Sequence, residues 1–148
     1  MKMLVKIVFV VGLVVVSWQV YTYFLMDFSH DGNMAYDLNP IVSPDGTYEA
    51  NIYFDNYGGA VGGTNLIVKV RDLTSGADAE ERTVYFGDGK DSWYVHWLDK
   101  DILHVHNEDE SEDLSVKLVV DEEVYDQHGS ACKLYQVKRM YRCKAMDI

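Results

Sequence analysis

The chain has 148 residues, the length of one domain, and its 48% hydrophobic and 25% charged residues suit a folded protein. Its formal net charge is −11, and beyond residue 26 the chain holds 11 basic against 24 acidic residues. That balance excludes nucleic acid as a partner, because phosphate binding needs clustered Lys and Arg, and it repels anionic lipid headgroups.

Between Leu4 and Met26, 18 of 23 residues are apolar and Lys6 is the only charge. Ile7 to Met26 is 20 residues, and as a helix rising about 1.5 Å per residue it covers roughly 30 Å, the thickness of the hydrocarbon core of a bilayer. Trp18, Tyr21, Tyr23 and Phe24 gather at its far end, where amphipathic rings favour the headgroup region. The expectation is a single-pass membrane anchor over residues 1–26. Lys2 and Lys6 precede it and Asp27, Asp31 and Asp37 follow, which puts the N-terminus in the cytoplasm and the remainder outside. The alternative is a cleaved signal peptide. Val15 and Ser17 fit a small-x-small site loosely, but Trp18 comes next and the apolar run continues.

Residues 27–44 are polar, contain Gly32 and both prolines, Pro40 and Pro44, and read as a tether. From residue 45 to the end the expectation is a β-domain. Tyr48, Ala50, Ile52 and Phe54 alternate with Glu49, Asn51, Tyr53 and Asp55, the pattern of a half-buried strand. A glycine-rich connection, 56–63, leads to Leu66, Val68 and Val70 on one face of the next strand. Arg82 to Phe86 makes a third. Trp93, Val95 and Trp97 share one face of a fourth, with Tyr94, His96 and Leu98 on the other. Ile102 to His106 is the fifth, and Leu114, Val116, Leu118 and Val120 mark the sixth. Six strands at this spacing argue for a mainly β fold, an antiparallel meander or small sandwich. Ser130 to Cys143 leaves the two-residue period, and Leu134, Val137, Met140 and Tyr141 lie near helical spacing, so a short terminal helix is expected there. Such a helix gives one sheet face something to bury.

Chemistry-bearing residues are sparse. His104 and His106 stand at i and i+2 on one strand, so both rings share a face, and His96, His128 and Cys132 are further zinc-ligand types. The spacing matches no familiar metal site, and hydrogen-bonded histidines on a solvent-facing sheet are the plainer reading. Asn107 to Asp113 is dense in carboxylates but lacks the ligand order of a calcium loop, and reads as a solvated hairpin. Asp88, Gly89 and Asp91 read the same way. Ser130-Ala-Cys-Lys133 matches the S-x-x-K of penicillin-binding enzymes, but the partner motifs are absent and the chain is too short for that fold. No catalytic residue and no cofactor is assigned.

Cys132 and Cys143 are the only cysteines, and an even pair outside the cytoplasm invites a disulfide. One unbroken helix over 132–143 puts their Cα atoms about 16 Å apart, beyond the roughly 7 Å limit. Either the helix stops early and the chain doubles back, or the thiols are free.

Ser43-Pro-Asp-Gly46 with its following strand resembles part of a TolB-type propeller blade, but a closed propeller needs several blades of about 40 residues. The apolar N-terminus, Asn39 to Tyr48, the Gly-rich turn and Val95 to Leu103 together resemble a family of small membrane-anchored proteins of Gram-positive bacteria known only as a domain of unknown function. The resemblance covers roughly residues 5 to 125. It implies a bacterial envelope location and carries over no catalytic residues.

The function expected is a non-catalytic, membrane-anchored extracytoplasmic interaction module. It contacts the membrane through residues 7–26 and an envelope protein through exposed aromatics such as Tyr53, Tyr85 and Tyr94. Two rivals stand beside it: a metal-dependent enzyme or metal-binding protein using His104 and His106, and a peptide binder that adds a strand at an open sheet edge.

Overall fold

The computed structural model describes residues 2–25, 28, 30, 34–35, 39–59, 62–76, 79–138 and 140–144. Most of the expected tether, 27–44, lies outside them. The elements run α1 (Lys2–Leu25), β1 (Met34–Ala35), β2 (Ile41–Val42), β3 (Tyr48–Tyr57), β4 (Gly63–Asp72), β5 (Arg82–Asp88), β6 (Ser92–Trp97), β7 (Ile102–Glu108), β8 (Val116–Val119), β9 (Glu123–Asp126), α2 (Ser130–Lys138) and β10 (Arg142–Lys144). The first sheet has the order β1-β3-β4-β5-β9-β10, with β2 also paired to β3. The second is the meander β6-β7-β8.

Two-residue alternation decides which side chains meet. Ala50, Ile52, Leu66, Val68, Val70, Val84 and Tyr85 of the first sheet face Val95, Leu103, Val105 and Leu118 of the second, and together they form the main core. The opposite face of the first sheet presents Ile67, Phe86 and Val124 to Phe28 and Ala131, a second, smaller core. Strand β4 is therefore buried on both faces, Leu66 and Val68 toward one core and Ile67 toward the other. The motif Ser43 to Gly46 is a turn: Gly46 N–H donates to Ser43 O at 2.9 Å, with φ of 74° at the glycine. Ser43 Oγ accepts from Tyr48 N–H at 2.9 Å and starts β3.

The chain's return from the second sheet to the first breaks the expected antiparallel meander. Strand β9 lies beside β5 and runs parallel to it, and β10 runs parallel to β9. Helix α2 ends at Lys138, so the expected helix over Ser130 to Cys143 is shorter and its end is a strand instead. Asp126 sets where it begins: one carboxylate oxygen accepts from Ala131 N–H at 2.7 Å and the other from His128 N–H at 2.9 Å. The chain then doubles back, and Cys132 and Cys143 are disulfide-bonded with Cα atoms 4.8 Å apart.

The expected membrane span is corrected. Among the described residues no helix is long and apolar enough to cross a membrane. Side-chain surroundings in α1 are described for residues 6–21, all of them exposed.

A buried amide joins the sheets. Asn107 on β7 is fully buried. Its Nδ2 donates to Tyr85 Oη and to Asp88 O, each at 2.7 Å, and its Oδ1 accepts from Lys90 N–H at 2.8 Å. Its backbone N–H donates to Ser115 Oγ and its carbonyl accepts from Leu114 N–H. Every polar atom of the residue is satisfied, and the β5–β6 connection is held to β7. Asn107→Ala leaves a carbonyl and an N–H without their partners and is expected to cost about 3 kcal/mol, read as a lowered urea midpoint.

The disulfide clips β10 to α2. In the Cys132→Ser, Cys143→Ser chain a stability loss of about 2–3 kcal/mol is expected from the freed unfolded-state loop, checked by urea unfolding against the oxidised parent.

His30 packs its ring on Phe86, centroids 3.8 Å apart, and burial holds its pKa below the ordinary 6.5 despite the nearby Asp126 carboxylate. The unfolded chain therefore takes up this proton first. The stability contributed by neutral His30 is present above pH 6.5 and lost as pH falls below it. His30→Phe is expected to lose less stability than the parent between pH 7.5 and 5.5, measured by urea midpoints at both values.

Candidate functional site

The outer face of the second sheet gathers the histidines. Because Trp93, Val95 and Trp97 turn inward to the core, Tyr94 and His96 turn outward on β6. On β7 the buried residues are Leu103, Val105 and Asn107, which leaves His104, His106 and Glu108 outside. Register completes the set: Tyr94 lies opposite His106, His96 opposite His104, and His104 opposite Lys117 of β8.

Ring contacts knit this face together. Tyr94 stacks on His106 with centroids 4.3 Å apart, and His96 meets His104 edge-on at 5.0 Å. Tyr94 also reaches His96 at 5.4 Å and His104 at 6.0 Å. His106 is braced by hydroxyls, Ser115 Oγ at 3.3 Å from Nδ1 and Ser92 Oγ at 3.4 Å from Nε2, with Glu108 Oε1 at 3.5 Å. Partial burial, then the positive neighbours His96, Lys117 and His106, hold the His104 imidazole below its ordinary pKa, with Asp113 acting the other way. Tyr94 remains 47% exposed at the centre.

The face is charged unevenly along its length. Lys117, His104 and His96 occupy one end, and Glu108 and Asp113 the other. The acidic hairpin beyond is a closed turn. Asp109 accepts from the Ser111 hydroxyl and from the backbone N–H groups of Ser111 and Glu112, and these bonds bring its pKa down to about 2. Lys90 Nζ pairs with Glu112 at 2.6 Å and with Asp109 at 3.6 Å.

The residues singled out in the sequence are thus sorted into separate places. His96, His104 and His106 come together. His128 lies on the far side of the first sheet against Phe86, and Cys132 is consumed by the disulfide. His104 and His106 ring centroids are 6.4 Å apart. Among the described residues no three or more His, Cys, Asp or Glu side chains are grouped to hold a metal ion. Of the aromatics expected as partner anchors, only Tyr94 is exposed. Tyr85 is fully buried, and Tyr53 donates to Glu81 Oε2 at 2.7 Å at the edge of the second core. Sequence reasoning missed Lys117, Ser92 and Ser115. Lys117 was legible as the residue between Val116 and Leu118, on the face opposite the buried one.

Comparison with known proteins returns a family and little else. No curated protein and no solved structure matches the chain. A family profile matches residues 1–130, which takes in both sheets up to the start of α2 and leaves out Cys132, Cys143 and β10. On that match the chain belongs to the family of unknown function DUF5412.

Proposed function

We propose that this chain is a non-catalytic interaction module of a bacterial envelope, its β-domain working outside the cytoplasm and its exposed apolar helix α1 meeting lipid. The observation that carries the reading is the outer face of the second sheet. A meander of three strands whose inner face packs on the core presents the exposed Tyr94 outward, with half-buried His96, His104 and His106 around it. An exposed ring braced by its neighbours loses little side-chain entropy on contact, which is why such aromatics anchor protein interfaces. The disulfide supports placement in an oxidising compartment, since glutathione keeps cytosolic thiols reduced. The large apolar side chains exposed along α1, Val8 and Phe9 through Trp18, support contact with an apolar phase.

The test uses intact cells carrying the full chain with a C-terminal tag and a photo-reactive residue in place of Tyr94. Impermeant protease is expected to remove the tag before lysis, and illumination to give a discrete crosslinked protein species. Protection of the tag until lysis overturns the extracytoplasmic placement. A crosslinking pattern unchanged when the photo-reactive residue is moved to position 122, on the exposed turn between β8 and β9, overturns the role of this face.

A further inference from the structure

The face just described has an end-to-end charge asymmetry that fits itself. His96 on β6, His104 on β7 and Lys117 on β8 share one end, through the register pairs His96–His104 and His104–Lys117. Glu108, four residues along β7, and Asp113 mark the other end, about 13 Å away at roughly 3.3 Å per residue. His106 lies between, 3.5 Å from Glu108, with Tyr94 stacked on it. The remaining charged neighbours are accounted for. Lys144 reaches the backbone of Lys117 at 2.8 Å and is paired with Glu123, and Asp99, Lys100 and Asp101 form the β6–β7 turn beyond Ile102.

We propose that this face is a proton-gated homodimer interface. Two copies stack their second sheets about a two-fold axis with strands antiparallel, so that the His96, His104 and Lys117 end of each lies over the Glu108 and Asp113 end of the other. A two-fold contact brings residue i against j and j against i, and a patch that is basic at one end and acidic at the other is complementary to itself under that operation. The exposed Tyr94 falls near the axis and supplies the apolar centre.

Protons set the strength of the contact. Lys117 brings a full positive charge to the basic end, and two chains of net charge −11 repel each other. Each proton that an imidazole of this end takes up adds to its positive charge. Within one copy His104 is crowded by His96, His106 and Lys117, while Asp113 opposes them and Glu108 stands 3.5 Å from His106. Across the dimer the imidazoles meet carboxylates, so association and proton uptake favour one another. The inference rests on the interaction reading above and names its partner as a second copy of this chain.

The experiment measures the mass of the full chain in detergent micelles by sedimentation equilibrium at pH 7.5 and 5.5. The dimer dissociation constant is expected to fall on the order of tenfold or more at the lower pH. Lys117→Glu alone and Glu108→Lys alone are each expected to remain monomeric at pH 5.5. Mixed together, the two variants are expected to form the heterodimer, because each end then meets an opposite charge. Thermal melts of the variants confirm that the fold is kept. A mass that does not change with pH, or variants that dimerise alone as readily as when mixed, overturns the proposal; so does a mixture that stays monomeric. If the chain is monomeric at both pH values while the photo-reactive residue at position 94 captures a different protein, this inference falls and the interaction reading stands.

Discussion

Asn107 is the residue on which the arrangement of the two sheets depends. Sheets packed through apolar side chains alone can slide, because dispersion and hydrophobic burial have little direction. Hydrogen bonds in a dry interior have direction, and leaving one unmade is costly. Asn107 reaches from β7 to Tyr85 of β5 and to both sides of the β5–β6 turn, and with Trp97 Nε1, which donates to Ile41 O, it gives the packing of the two sheets a direction. The same residue terminates the outward face at Glu108, its immediate neighbour. Core geometry and surface pattern are therefore coupled through a single strand: shifting β7 by one residue exchanges His104 and His106 with Leu103 and Val105.

The first sheet carries the burden of burial on both sides, and this explains the elements that look least like strands. Glu123 and Asp126 open and close β9 and are nearly inaccessible, although carboxylates in water prefer exposure. Each has an assigned partner. Glu123 accepts from Val119 N–H at 3.0 Å and pairs with Lys144 at 2.8 Å, and these contacts outweigh burial to keep its pKa below the ordinary value. Asp126 satisfies the N-terminus of α2. The tail from α2 to β10 thus depends on two buried carboxylates and one disulfide, and it covers the apolar residues Ile67, Phe86 and Val124 that would otherwise face water.

The outer face of the second sheet is built differently. Its side chains are held by rings, hydroxyls and long carboxylate contacts, and Ser115 Oγ links His106 to the backbone of the buried Asn107. For His104, partial burial and then the positive neighbours His96, Lys117 and His106 favour the neutral ring.

The period of two was enough to place β3 through β8 and to separate Trp93, Val95 and Trp97 from Tyr94 and His96, because a sheet with one buried face must alternate in that way. It also brought His104 and His106 to one face. Other features had no local signature. Strand β9, Glu-Val-Tyr-Asp, hides its polarity in partners outside the strand, Val119 and Lys144 for Glu123 and His128 and Ala131 for Asp126, and β10 is three residues long and exists only because β9 offers it a parallel edge. The pairing of Cys132 with Cys143 needed the helix to end at Lys138, which the sequence between them does not announce. The apolar run at the N-terminus was unmistakable, but its extent as a described helix, and the absence of a span among the described residues, came only with coordinates. Alternation determined the sheets' faces because it acts between neighbours along one strand. Which strands lie side by side, and which charges share a surface, was decided by tertiary structure, since those pairings join residues far apart in the chain.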